Sequence, residues 1–212
     1  MAMTLDGKVA RPDGKWYGLS SRDDKKRMDV YRSQTDALIL GKNSLINDDP
    51  VIKLRYVEGK DPLPVILIRK GIVKKDRKVF SNPNMRPLVI CLTENELAIK
   101  EELSEVAEIL ALEGNNIQPQ KVISILKSRN LNRVLLEGGP TLNYTFQNAD
   151  LIDVIHLTIV PFLIGKKALP AIVDGDSEFL HFAEKRWNLT HCEKLGDEIF
   201  LRYERYTLDT KD

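Results

Sequence analysis

The sequence offers little to hold a metal or a disulfide. Its two cysteines, Cys91 and Cys192, stand far apart, and its three histidines, His156, His181 and His191, are scattered. A zinc site needs such residues clustered at ligand spacing, so no metal is expected. Two isolated cysteines in a chain rich in Lys and Glu read as reduced thiols of a cytoplasmic protein. Tryptophan is as scarce, and Trp16 and Trp187 are too isolated to form a base-stacking platform. An excess of one charge is missing as well. The 32 basic and 31 acidic side chains leave +1, without the basic surplus of a nucleic-acid binder. No apolar run approaches the roughly 20 residues of a membrane helix, and the N-terminus lacks the apolar segment of a signal peptide. Asn188-Leu189-Thr190 fits a glycosylation sequon, a chance match in a chain without a secretory signal. Nucleophile-elbow, phosphate-loop and zinc-deaminase signatures are also absent.

What remains is an ordinary globular composition. The chain has 212 residues, 42% hydrophobic and 30% charged, which suits one α/β domain over residues 1–212 that folds without staples. The opening Met1-Ala2-Met3-Thr4-Leu5 reads as the end of a strand, either short or begun upstream, entering the turn Asp6-Gly7-Lys8. Ser20 and Ser21 stand before Arg22-Asp23-Asp24, and a serine followed three residues later by Asp marks a helix start; that helix should run to about Ser33. Asp36–Leu40, Val65–Ile68, Leu88–Leu92, Ile109–Leu112 and Arg133–Leu136 are short apolar runs that predict strands. Helices are predicted between them. One is a single turn capped by Asn43 and stopped by Asp49-Pro50. Another is opened by a capping box at Thr93-Glu94-Asn95-Glu96 and runs to about Val106. A third spans Pro119 to about Arg129, and a fourth runs from Pro140 to about Gln147. Asp153–Val160 is a further strand. Around Gly196-Asp197, residues 189–195 and 198–206 alternate as a β-hairpin. Buried strands alternating with helices imply a mostly parallel central sheet covered on both faces, closed by a C-terminal antiparallel hairpin.

The segment with most chemical promise is Glu137-Gly138-Gly139-Pro140-Thr141-Leu142. A buried strand runs into two glycines, which let backbone N–H groups approach a ligand, and then into a helix N-terminus that favours a phosphate. Thr141 adds a hydroxyl. Taken alone, the motif fits an ordinary strand-to-helix turn equally well. Asp48-Asp49-Pro50 by itself is a routine turn. Arg32 by itself is a solvated cation at a helix C-terminus, and Arg55 by itself a strand-edge charge.

Together, these segments resemble a known family in four blocks taken in order. The blocks are residues 2–10, Arg32 through Asp36–Gly41 and Ser44 to Asp48-Asp49-Pro50, Glu137–Leu142, and Asp153 through Pro161 to Gly165. The family is the riboflavin-biosynthesis pyrimidine reductases, in bacteria usually fused behind a deaminase domain. The resemblance spans residues 2–206. It implies a dihydrofolate-reductase-like fold, NADPH as cofactor, a pyrimidine ribosylamine 5′-phosphate as substrate, a homodimer, and a separate deaminase elsewhere in the pathway. By position, Arg32, Ile52, Arg55 and Glu137 should contact substrate. Ser44, Asp48, Gly138, Gly139, Pro140, Thr141 and Leu142 should contact cofactor. Asp48 and Glu137 are the candidate catalytic carboxylates.

Two features depart from the family pattern. The Ser and Trp that relatives place two apart before the first helix are not matched, because Trp16 is shifted. Arg69-Lys70 stands where fused members often have Asp-Ser, and as cations these two suit the 2′-phosphate of NADPH. Two other readings fit the same residues. One is a reductase of this fold acting on a pterin or another heterocycle. The other is a non-catalytic NADPH- or nucleotide-binding protein. Both the deaminated uracil and the 2-amino pyrimidinone fit the substrate reading.

Overall fold

Five parallel strands form the central sheet of the computed structural model, which describes residues 1–13, 18–184 and 186–206. They are β2 (Ala37–Gly41), β3 (Leu63–Ile68), β4 (Leu88–Leu92), β5 (Glu108–Leu112) and β6 (Val134–Leu136), in the order β5-β4-β3-β2-β6. Side chains alternate between the two faces of a strand, so a strand buried on both faces must be apolar throughout. Leu38, Leu40, Ile66, Ile68, Val89 and Cys91 enter one core with Leu45, Ile99 and Leu103. Ala37, Ile39, Val65, Leu67, Leu88 and Ile90 enter the other with Val122, Leu126 and Phe146. Helices α2 (Lys42–Asp48) and α3 (Glu96–Leu103) therefore cover the first face, and α4 (Pro119–Ser128) and α5 (Pro140–Asn148) the second.

The expected hairpin is β8 (Trp187–Leu195) with β9 (Glu198–Arg205), turning at Gly196 with φ +60°. It belongs to a second, four-stranded sheet ordered β1-β7-β9-β8. There β1 (Ala2–Thr4) runs parallel to β7 (Val154–Val160), and β7 runs antiparallel to β9. Helix α1 (Arg22–Ser33) packs against this sheet through polar and aromatic side chains. Thr158 Oγ1 donates to Asp24 Oδ1 at 2.6 Å, Tyr31 stacks on His156 at 3.8 Å, and Arg27 lies 4.0 Å from the ring centre of Phe200.

Two helix starts differ from expectation. Gly41, not Asn43, is the N-cap of α2, because β2 runs straight into the helix. Residues Thr93–Asn95 form a 3₁₀ turn without a side-chain cap, and α3 ends at Leu103. The capping box does not form because the helix starts three residues later, at Glu96, and Glu96 pairs along the helix with Lys100 at 2.6 Å. Asn95 Nδ2 donates to the Arg69 carbonyl at 2.8 Å.

Candidate functional site

Ligands of open α/β sheets bind beyond the carboxyl ends of the strands, where neighbouring strands send their connections in opposite directions. Here that point lies between β2 and β6. From β2 the chain passes through α2 to β3 on one side, and from β6 it passes through α5 to β7 in the second sheet. The register Ile39–Leu136 and the bond from Glu137 N–H to the Ile39 carbonyl (3.0 Å) fix the two strand ends side by side.

The two loops beyond those ends are built against each other. Leu142, in the first turn of α5, packs over both. Its Cδ2 is 3.7 Å from where a Cβ on Gly41 would sit and 2.6 Å from where a Cβ on Gly138 would sit. Gly138 must therefore lack a side chain for reasons of space. Gly139 differs. It is the N-cap of α5 at φ −70°, and a Cβ there would meet only Ser44 Oγ, at 3.9 Å. Neither glycine has positive φ. The approach to the α5 N-terminus is thus open at Gly139, no side chain caps the helix, and Ser44 stands beside it. Pro140 occupies the first turn, where its missing N–H costs nothing. Thr141 is exposed. The side chain of Leu142 belongs to the core.

Across the same strand end, Glu137 receives a two-bond fork from Arg32. Nε donates to Oε1 at 2.7 Å and Nη2 to Oε2 at 2.6 Å. Arg32 is 6% exposed, so it is no solvated helix-end cation. Burial alone would lower its pKa, but the bonds and charge of Glu137 outweigh that and hold it above the ordinary value. Asp29, one turn earlier, is buried and faces Arg32 Nη1 at 3.6 Å. Its Oδ2 accepts the backbone N–H groups of Arg55 (2.6 Å) and Tyr56 (3.1 Å). Arg55 therefore lies in a loop held to α1, not on a strand edge, and its side chain remains 47% exposed. Ile52 is buried in the core under α2, while Val51 beside it is exposed.

The fold thus brings Arg32, Glu137 and Arg55 together through Asp29, and brings Ser44 against Gly139. Asp48 ends α2. Arg69 and Lys70 are exposed beyond β3, where Lys42 Nζ donates to the Lys70 carbonyl at 2.7 Å. Trp16 lies outside the described residues. Sequence reasoning missed Asp29, for which the only signal was its i,i+3 spacing to Arg32. It also missed Asp6, whose carboxylate accepts from Thr4 Oγ1 at 2.6 Å and Gly165 N–H at 2.7 Å. These bonds lower its pKa to about 2 and tie the β1 turn to the segment after β7.

A parallel sheet with its switch point between β2 and β6, joined to a mixed four-stranded sheet, defines an α/β protein of dihydrofolate-reductase-like architecture. The RibD C-terminal domain family matches residues 1–201, and the chain belongs to that family. A 2,5-diamino-6-ribosylamino-4(3H)-pyrimidinone 5′-phosphate reductase of Methanothermobacter thermautotrophicus is 27% identical, over 95% of this chain and 94% of that protein. Riboflavin biosynthesis protein RibD of Aquifex aeolicus is 29% identical, over 97% of this chain and 56% of that protein. The crystal structure of a Thermotoga maritima diaminohydroxyphosphoribosylaminopyrimidine deaminase/5-amino-6-(5-phosphoribosylamino)uracil reductase has the same fold. It matches with a TM-score of 0.79 at 24% identity, over 97% of this chain and 55% of the other. The chain thus spans nearly all of the archaeal reductase and about half of the two longer proteins.

Proposed function

We propose that this chain reduces a pyrimidine ribosylamine 5′-phosphate in riboflavin biosynthesis, using NADPH to turn the ribosyl group into an open ribityl chain. The observation that carries the reading is a pair of unlike walls beyond the neighbouring ends of β2 and β6. An uncapped, glycine-led helix start faces Ser44 on one side, and Glu137 stands with Arg32 and Arg55 on the other. A dinucleotide phosphate and a sugar phosphate need different recognition, and these walls differ in that way.

The residues fit the cofactor. Gly139 leaves room for a phosphate at the N-terminus of α5, whose dipole favours an anion. Ser44 and Thr141 add hydroxyls, and Gly138, Pro140 and Leu142 shape the turn. Arg69 and Lys70, cations beyond β3, suit the 2′-phosphate that separates NADPH from NADH. When bound, the reduced nicotinamide supplies a hydride. In the proposed reaction the hydride adds to C1′, the bond from C1′ to the ring oxygen breaks, and that oxygen takes up one proton. Glu137 and Asp48 are the carboxylates proposed to manage the proton. Arg32 fixes the orientation of Glu137, Arg55 completes the substrate wall, and Ile52 anchors the loop that carries Arg55 to the core. The same reading includes a homodimer, a cytoplasmic location and a separate deaminase acting on the same pathway.

The test is loss of reduced-nicotinamide absorbance with the phosphorylated substrate, supplied in both the deaminated and the 2-amino forms. Turnover that falls sharply on dephosphorylation supports the reading. Turnover on a pterin alone would make the chain a reductase of another heterocycle. NADPH binding without turnover on any of them would make it a nucleotide-binding protein.

A further inference from the structure

Asp29 lies in the middle of α1 with a side chain 0% exposed, an unusual place for a carboxylate. Its two oxygens do different things. Oδ2 accepts the amides of Arg55 and Tyr56, at 2.6 and 3.1 Å. Among the described residues Oδ1 accepts no hydrogen bond, and it faces two guanidinium groups, Arg32 Nη1 at 3.6 Å and Arg55 Nη2 at 3.9 Å. A buried oxygen left without a hydrogen bond is costly, so the arrangement is poorly explained by stability alone.

Its geometric effect is specific. One carboxylate fixes the backbone from which the Arg55 side chain departs and also draws the Arg55 head toward Arg32. The rest of the loop is fixed too. Leu54 N–H donates to Asp61 Oδ1 at 2.8 Å, and Gly59, at φ +151°, lies so close to α1 that a Cβ would be 3.1 Å from Ser33 Cβ. The two arginines differ in access. Arg32 is closed in by Glu137 with a side chain 7% exposed, whereas that of Arg55 is 47% exposed. Arg22 and Arg55 both lie over the Tyr56 ring, at 5.5 and 5.3 Å from its centre.

We propose that Asp29 is a positioning residue for the anionic group of the substrate. It holds the Arg55–Tyr56 turn so that Arg55, not the sealed Arg32, presents free donors beside the Arg32–Glu137 pair. This rests on the reading above that the substrate is a sugar phosphate, and it acts through Arg55 alone.

Ribose 5-phosphate is the probe, titrated calorimetrically into the wild type, Asp29→Asn, Asp29→Ala, Asp29→Glu, Arg55→Ala and the double variant Asp29→Ala/Arg55→Ala. NADPH affinity and thermal midpoint are recorded on each sample. Arg55→Ala should weaken the sugar phosphate about tenfold or more, as expected for a lost bond to a charged group. Asp29→Ala should weaken it by a similar factor, and the double variant no further, because both changes remove one device. Asp29→Glu, which keeps the charge but moves the acceptor, should also weaken it. Asp29→Asn, which keeps an acceptor for the two amides, should stay within about threefold of wild type. NADPH affinity should be unchanged throughout. The proposal is overturned if the wild type does not bind the probe or if Asp29→Ala binds it normally. Losses that add in full in the double variant overturn it too, as does NADPH affinity falling equally. If only Asp29→Asn folds, Asp29 is structural and the proposal is wrong. Turnover on the same samples separates this idea from the reductase reading. A turning-over wild type with unaffected variants removes only the role of Asp29. A wild type that turns over nothing, yet loses sugar-phosphate affinity in Asp29→Ala, removes only the reductase reading.

Discussion

Arg32 and Glu137 stand 105 positions apart in sequence and meet in a bidentate fork of 2.7 and 2.6 Å. The fork joins the last turn of α1 to the exit of β6, so it anchors the second sheet's helix to the parallel sheet beside the β2/β6 switch point. Both groups are largely buried. Removing one partner of a buried pair strands the other's charge, which typically costs about 3–5 kcal/mol. Arg32→Ala should therefore lower unfolding stability by about that amount and leave Glu137 free to reorient. Urea unfolding checks it. A change below about 0.5 kcal/mol, the size of an exposed i,i+4 pair, would show that the fork is dispensable.

The two glycines of the β6–α5 turn should separate cleanly. A methyl on Gly138 would meet Leu142 at 2.6–2.9 Å, and overpacking of this kind costs about 1–3 kcal/mol. Gly138→Ala should lower the thermal midpoint, and Leu142→Ala should restore part of the loss. Gly139→Val should leave the midpoint nearly unchanged, since φ is −70° and Ser44 Oγ is 3.9 Å from the new Cβ. Its branched side chain should instead abolish NADPH binding. Midpoint and cofactor affinity measured on one sample decide the matter. A normal affinity in Gly139→Val would detach the cofactor from this turn.

His156 should make the fold sensitive to mild acid. Burial, and then the positive charges of Arg202, the N-terminus and Arg27, push its pKa from 6.5 down to about 4. The unfolded chain therefore binds more protons than the folded one between those values. Stability is fully present above about pH 6.5 and is lost as pH falls through the window toward 4. Asp6, lowered from 3.8 to about 2, contributes stability that is present above its ordinary value and lost only as pH falls from there toward 2, so the two windows do not overlap. His156→Phe keeps the stack on Tyr31 and should flatten the midpoint-versus-pH curve between pH 6.5 and 4. An unaltered slope would assign the acid sensitivity to other groups.

Much of the fold was legible because strands buried on both faces are unbroken apolar runs. Ala37–Leu40 and Leu88–Leu92 needed nothing more. The partnership of the hairpin with β7 and β1 was not legible, since alternation in Leu189–Leu195 states which residues share a face but not which sheet receives them. Helix α1 was placed by the serines at 20 and 21 before its acidic first turn, and the structure makes Ser21 the cap, with Asp24 N–H bonded to Ser21 Oγ at 3.2 Å. Its interior face was illegible. Rules of helical periodicity look for an apolar stripe, and the buried residues here are Asp24, Asp29 and Arg32. A buried charge reveals itself only with its partner, and Glu137 lies across the fold. The glycine-led start of α5 was readable because its turn is contiguous in sequence. The approach of Ser44 to Gly139 joins α2 to the start of α5 across β3, β4, β5 and β6, and was not.

The proposed reaction is a hydride transfer to C1′ of a phosphorylated ribosylaminopyrimidine. It is tested most directly with NADPH carrying deuterium at the transferable position of the nicotinamide. The product is isolated and its label located by nuclear magnetic resonance. A single deuterium on C1′ of an open ribityl chain is the predicted result. A product without deuterium, or with deuterium in the pyrimidine ring and the ribose still closed, would contradict the account.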